Sequence, residues 1–411
     1  MGEGMKYLML SCAHTCVLFT AACFAGQSDT DWSQWFGAGR DGVSVESGLA
    51  DVWPKSGLPG VWSRQIGKGF SSISIAGERV FCMGHIDGAE IVWCLNKLTG
   101  DVIWKHEYSG RLLPNLHEGG PAATPTVAGD VVYTLGKEGQ LFCLNTADGS
   151  IVWEQMLQTT LGVKLPEWGF SSSPLLLGDQ LILEAGRVVS IDRHSGAIQW
   201  QTERHNAGYG SAAPFERDGQ MLLATLDCDG LRVVGASDGR ELAFAAWKSP
   251  YQTNSTTPIV SGDMIFVSTG YNVGCALFRF TGDDLEQVYS NREMRNHFSN
   301  CVLRDGWLYG IDGNSHNGRN ATLNCMSLAT GELAWKQRGN GCGSVIAADG
   351  KLLVLAENGD LVMVAESSQG FQELGRSEFL EGRCWTAPAL SGGMLFGRNA
   401  DGLLKCVLLP Q

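Results

Sequence analysis

Apolar residues in this chain fall in short runs separated by glycine and aspartate, and one three-run pattern returns many times. Its clearest copy is Thr124-Pro125-Thr126-Val127-Ala128-Gly129-Asp130-Val131-Val132-Tyr133, then Gly139-Gln140-Leu141-Phe142-Cys143-Leu144-Asn145, then Gly149-Ser150-Ile151-Val152-Trp153. Runs of this length bounded by turn residues predict β-strands joined by tight hairpins, with a fourth strand starting at the tryptophan. Alternation within the runs is imperfect, as in Val131-Val132-Tyr133 and Leu175-Leu176-Leu177, which predicts strands covered on both faces.

The closing element, Gly-x-x-x-Trp, recurs as Gly100 to Trp104, Gly149 to Trp153, Gly196 to Trp200 and Gly331 to Trp335, and degenerate copies follow Gly239, Gly282 and Gly370. These glycines stand 39 to 49 residues apart, the length of one four-stranded propeller blade, roughly 40–50 residues. A small residue before proline marks first strands at Thr124-Pro125, Ser173-Pro174, Ala213-Pro214, Thr257-Pro258 and Ala387-Pro388, with proline-free versions near Ile73, Cys301 and Val345, eight in all. The last unit stops one strand short, and Gly60 to Ile66 supplies a matching orphan strand at the other end. The expected fold is all-β: an eight-bladed β-propeller of four-stranded antiparallel blades, closed by N- and C-terminal strands sharing one blade, which removes the open sheet edge. Trp104, Trp153, Trp200 and Trp335 are expected to dock one blade on the next.

Composition narrows the class. With 44% hydrophobic residues, 54 glycines and 18% charged residues the chain is a folded, turn-rich protein. Its formal net charge of −13 and the lack of any Lys/Arg run exclude nucleic acid as an expected partner. Lys6, the apolar stretch Tyr7 to Phe24 and the small residues Cys23 and Ala25 read as an export signal cut before Gly26. The expected division is a signal peptide over 1–25, a leader over 26–57 and the propeller over 58–411, with no membrane span in the mature chain. Thr20-Ala21-Ala22-Cys23 resembles a lipidation motif at Cys23 without its usual leucine. Of 13 cysteines, Cys94, Cys143, Cys325 and Cys406 recur at one repeat position, as buried packing residues do, and no CxxC suggests a metal or redox site.

These repeats resemble the PQQ-like β-propeller family, whose units end in the same Gly-x-x-x-Trp element and which includes quinoprotein alcohol dehydrogenases and the propeller lipoprotein of the outer-membrane β-barrel assembly machinery. The opening Trp32-Ser33-Gln34-Trp35-Phe36-Gly37, Arg40-Asp41-Gly42, Gly48-Leu49 and Trp53-Pro54 looks like the leader of exported bacterial members. The resemblance implies an exported protein, periplasmic or associated with the outer membrane. In the dehydrogenases PQQ lies over a tryptophan beside calcium held by Glu, Asn and Asp, often under a disulfide of adjacent cysteines. This chain has no adjacent cysteine pair and lacks the long insertions of those enzymes. No cofactor is therefore expected, PQQ with calcium being the alternative.

Other catalytic sets are equally incomplete. Asp312-Gly313-Asn314-Ser315-His316-Asn317-Gly318 has no closing glutamate for a calcium loop and reads as a hairpin turn, as does Asp227-Cys228-Asp229-Gly230, although the two carboxylates of the latter could face a ligand. No Ser/His/Asp set can be assembled from spacing alone. In a propeller, the loops entering the first strands open together on one face around the central channel. They carry Phe70, His117 with Glu118, Trp168 with Phe170, His205 with Tyr209, Tyr251 with Asn254, Arg295 with His297 and Phe298, Cys342, and Arg383 with Trp385. Aromatic, histidine and arginine side chains in a concave ring suit binding. The expected function is a non-catalytic binding or scaffolding module of the bacterial envelope with a protein or carbohydrate partner, the alternative being a PQQ-dependent dehydrogenase.

Overall fold

The computed structural model describes Met1 and residues 30–411; the expected signal peptide, its cleavage before Gly26 and the lipidation motif at Cys23 lie outside the described residues. Eight sheets form the expected propeller, seven of them built on four consecutive antiparallel strands running from the channel outward. Blade 1 spans Ser74–Ser109, blade 2 Thr126–Met156, blade 3 Leu175–Gln201, blade 4 Ala213–Ala246, blade 5 Ile259–Asn291, blade 6 Val302–Arg338 and blade 7 Ser344–Glu378. Blade 8 joins the ends of the chain, its three C-terminal strands (Ala389–Ser391, Met394–Arg398, Leu403–Leu408) being completed by Gly60–Gln65, which pairs with Leu403–Val407. The middle strands are buried almost end to end, as in Arg79–Ile86 and Ala89–Asn96, because neighbouring blades cover both faces. Alternation returns only in outer strands such as Val102–Ser109.

The blades are fastened by one device. In all eight, the pairing of third and outer strand slips at a β-bulge at the same place. The extra residue is pushed outward, which accounts for exposed Val61, Ile103, Val152 and Val288. The next residue turns toward the following blade. Trp104 thus lies on Gly149, Trp153 on Gly196 and Trp200 on Gly239, so closely that a Cβ on each glycine would stand 2.6, 2.9 and 2.3 Å from the indole. Each Nε1 donates to the carbonyl three residues before that glycine, Trp104 to Thr146, Trp153 to Arg193 and Trp200 to Ala236; Trp335 makes the same bond, to Ser367, without lying on Gly370, all at 2.8 to 3.1 Å.

Four further side chains share this work, and the Gly-x-x-x-Trp spacing does not reveal them. Trp62 of the orphan strand lies on Gly100 and donates to Lys97 O. Tyr289 replaces tryptophan in blade 5, lying on Gly331 with its hydroxyl donating to Leu328 O at 2.9 Å. Blade 4 has Ala243 after its bulge, and Arg217 donates instead to the Phe280 and Thr281 carbonyls beside Gly282. Blade 7 has Gly375 there, and Trp53 of the leader lies on it.

The leader closes one end of the channel. Trp32 pairs with Ile75 and Ser33 O accepts from Val127 N, on the inner strands of blades 1 and 2. Arg40 donates to Pro174 O at blade 3, and Val43–Ser44 adds a fifth, parallel strand to blade 7 against Ala347 and Ala348. Trp35 and Phe36, stacked at 5.0 Å, lie across the channel. At the seam, the fully buried Arg398 of blade 8 donates to Gly67, Ser71 and Met83 carbonyls on the way into and within blade 1. The ten described cysteines are free and buried, and burial pushes the Cys94 and Cys406 thiols up to about 12, so they pack and do not bridge.

Two adjacent residues should therefore respond oppositely. Trp153→Ala opens an inter-blade cavity and orphans a carbonyl, and should cost about 3–5 kcal/mol in chemical denaturation. Val152→Ala, on the outward bulge position, should stay within about 0.5 kcal/mol of the parent. Equal losses would contradict the bulge register.

Candidate functional site

The channel wall is built from hydroxyls. At the start of the inner strands of blades 1 to 5, an amide is accepted by a side chain at the start of the next blade's inner strand. Ser72 N donates to Thr124 Oγ1, Thr124 N to Ser173 Oγ, Ser173 N to Ser211 Oγ, Ser211 N to Thr257 Oγ1 and Thr257 N to Asn300 Oδ1, at 2.9 to 3.2 Å. Ser72 Oγ donates on to Ala387 O at 2.8 Å, and Ser344 Oγ to Trp385 O at 2.9 Å. The belt satisfies inner-strand edges inside the molecule. It also explains the small polar residue near each first-strand proline.

Above the belt the channel is a pocket of about 210 Å³, floored by Trp35 and Phe36. Seven residues of the sequence-derived ring line it: Phe70, His117, Trp168, Tyr209, His297, Phe298 and Trp385. Most form one continuous arc. Phe70 meets His117 edge-on at 5.2 Å and stacks with Trp385 at 5.6 Å; Trp385 meets Phe298 at 4.4 Å, and Phe298 meets His297 at 4.5 Å. The loop into blade 7, Gly339 to Gly343, bears no aromatic side chain, and Phe298 reaches Trp385 past it. Trp168 and Tyr209 form a second pair, 5.9 Å apart.

The remaining ring residues lie elsewhere. Phe170 is 1% exposed in the core between blades 2 and 3. Arg295 is locked on Asp312 by two bonds at the rim, and Arg383 lies 4.4 Å above Trp385 while pairing with Glu118. Tyr251 is exposed and touches Tyr271. His205 is bonded to the buried Glu184 at 2.9 Å, which holds its pKa up against burial. Asn254 donates to the Asp227 and Trp247 carbonyls, and Cys342 N donates to Glu357. The two carboxylates of the Asp227 turn are engaged within the protein, Asp227 with Arg232 and its own turn amides and Asp229 with Asn206. Asp312 to Gly318 begins the hairpin connection between strands Trp307–Asp312 and Thr322–Ser327, which contains a short helical turn, Ser315–Asn320.

Tyr271, His316 and Lys137 also line the pocket, and first-strand loops alone do not predict them. They belong to hairpins between second and third strands, which open on the same face. Tyr271 extends the arc, 4.7 Å from His297 and 5.5 Å from His316. Burial pushes His117 and His297 down to about 4, helped by Lys137 and Arg383 for His117 and by His316 and His117 for His297. Both are neutral at pH 7, with Nδ1 accepting an amide, from Gly119 at 2.9 Å and Ser315 at 3.3 Å.

A protein-family profile described as outer membrane protein assembly factor BamB matches residues 88–337. Among solved structures, BamB from Moraxella catarrhalis superposes with a TM-score of 0.60 at 16% identity, over 85% of this chain and 97% of that one. Quinohemoprotein alcohol dehydrogenase from Comamonas testosteroni gives a TM-score of 0.64 at 10% identity, over 92% and 80%. The computationally designed Ika8 protein gives 0.59 at 13%, over 86% and 99%. No curated protein sequence matches. At these identities the structures share the fold alone.

The buried imidazoles set an acid limit. His297 is neutral in the fold down to about 4 but takes its proton near 6.5 when unfolded. Its folded pKa is depressed, so the stability is present above about 6.5 and lost as pH falls toward 4, at most about 3 kcal/mol. Denaturation curves at pH 7, 5.5 and 4 should show His297→Gln losing less stability on acidification than the parent; parallel losses would count against a neutral, buried imidazole.

Proposed function

The chain belongs to the family of the outer membrane protein assembly factor BamB, and on that premise we propose that it is a non-catalytic binding propeller of the bacterial cell envelope. The observation that carries this reading is the blind aromatic cup: one end of the channel is filled by Trp35 and Phe36, and the other opens between Phe70, Trp168, Tyr209, Tyr271, His297 and Trp385. Such a mouth offers large rigid faces and few charges, the composition of binding hot spots. An envelope protein is the partner that fits an assembly-factor family. Among the described residues no helix is long and apolar enough to cross a membrane.

The quinone chemistry of the family's dehydrogenases does not fit the cup. Calcium takes hard oxygen ligands, carboxylates above all, whereas the lining holds hydroxyls, imidazoles, a lysine and the single amide of Asn300, whose Oδ1 already accepts from Thr257 N, with no Asp or Glu. A divalent cation there would face the Lys137 ammonium, and no carboxylate base stands in the lining to take a proton from an alcohol.

Trp168→Ala and Tyr271→Ala should each weaken capture of the envelope partner by about 1–3 kcal/mol while the melting temperature stays near the parent's. Asp130→Ala, on a turn of the opposite face, should capture normally. Quantitative cross-linking followed by pull-down reads both; loss with Asp130→Ala and none at the mouth would place the binding face on the other side.

A further inference from the structure

One charged side chain in the cup is left without a partner. Lys137 is 1% exposed and lines the pocket, yet among the described residues no hydrogen bond or ion pair reaches its Nζ. Its surroundings fix it there. The stem lies against Gly169, where a Cβ would stand 2.2 Å from Lys137 Cγ and the backbone has φ +74°. Phe170 N donates to Lys137 O at 2.8 Å, and Lys137 N donates to the Glu90 carboxylate at 3.1 and 3.2 Å. Glu90 is itself engaged with Tyr108 at 2.8 Å. The carboxylate therefore binds the main chain of Lys137 and not its ammonium.

An ammonium taken out of water without a partner is costly, and fold stability gives no reason to keep one. Burial lowers this amine to about 8 against the opposing charge of Glu90, which leaves it mostly protonated at pH 7. What faces it is a cup of aromatic rings and hydroxyls without carboxylates, where a single positive charge has no opposing charge in the lining. From this geometry, and resting on the channel mouth as the binding face, we propose that the cup also holds a small organic anion, a carboxylate or phosphate on a flat apolar body, with its charged group on Lys137 Nζ and its body against the Phe70, Trp385 and Phe298 rings. Drug-sized sites run to roughly 300–1,000 Å³, so a pocket of about 210 Å³ suits a ligand of one or two rings. The charge-assisted bond gives orientation, and the ring faces give contact area.

The probes are benzoate and phenyl phosphate, with benzamide as the neutral isostere of benzoate, titrated into the full chain and followed by tryptophan fluorescence, since Trp35, Trp168 and Trp385 line the site. Saturable binding of at least one anion, stronger than benzamide by about tenfold or more, is expected. The relative strength of the two anions tells carboxylate from phosphate. Lys137→Met and Lys137→Gln should abolish the preference over benzamide, with melting temperatures equal to or above the parent's because an unpaired buried charge has gone. Benzamide binding as tightly as the anions would overturn the proposal, as would no binding of either anion up to millimolar concentration, or an unchanged preference in both variants. None of these results touches partner capture at the mouth, which is measured separately.

Discussion

An indole laid on a glycine sets how closely two blades can approach, and that contact recurs at Gly100, Gly149, Gly196, Gly239 and Gly375. The glycine must lack a Cβ, and the docking residue must turn inward, which the bulge before it achieves. The substitutions around the ring show what the contact demands. Tyr289 keeps a flat ring and a donor, Arg217 keeps donors to the backbone, and Trp53 brings a ring from another part of the chain. With each blade held at its angle, loops far apart in sequence converge on one mouth.

The belt of hydroxyls and the leader give that mouth its chemistry. Were the inner-strand amides unpaired, the channel would be wet and polar; Thr124, Ser173, Ser211 and Thr257 take them up instead. Trp35 and Phe36 then convert a tube into a cup. Within it the His117 and His297 imidazoles are neutral, and Lys137 brings a positive charge inside a chain of formal charge −13.

The fold was legible because propeller repeats write their period in turns and docking residues, and the missing strand at one end matched an orphan at the other. What the spacing hid was substitution in kind: Tyr289 stands seven residues after Gly282, and Trp53 serves blade 7 from outside the repeats. At the site, first-strand loops yielded seven lining residues, because these loops must converge on the axis. They also yielded Phe170, whose side chain turns into the core, and His205 and Arg295, which answer to Glu184 and Asp312; no pattern of types in a loop encodes that direction. Tyr271, His316 and Lys137 lay in hairpins on the same face, so reading both sets of loops would have found them. The plug by Trp35 and Phe36 had no such signal, since an aromatic pair in a leader looks the same whether it packs outside or inside the ring.

Closure by Gly60–Gln65 against Leu403–Val407 has a kinetic meaning. The strand synthesised first among the blades finds its partner only when Leu403–Val407 has been made, so the decisive pairing spans more than 300 residues of chain. Such contacts come late and slowly in folding. Until then blade 8 presents an unpaired edge, and the growing chain is at its most prone to aggregate. Once made, the same strand must be pried from both the sheet and the Trp62 dock on Gly100 before the ring can open, so the native state is guarded by slow unfolding as well as by its equilibrium stability.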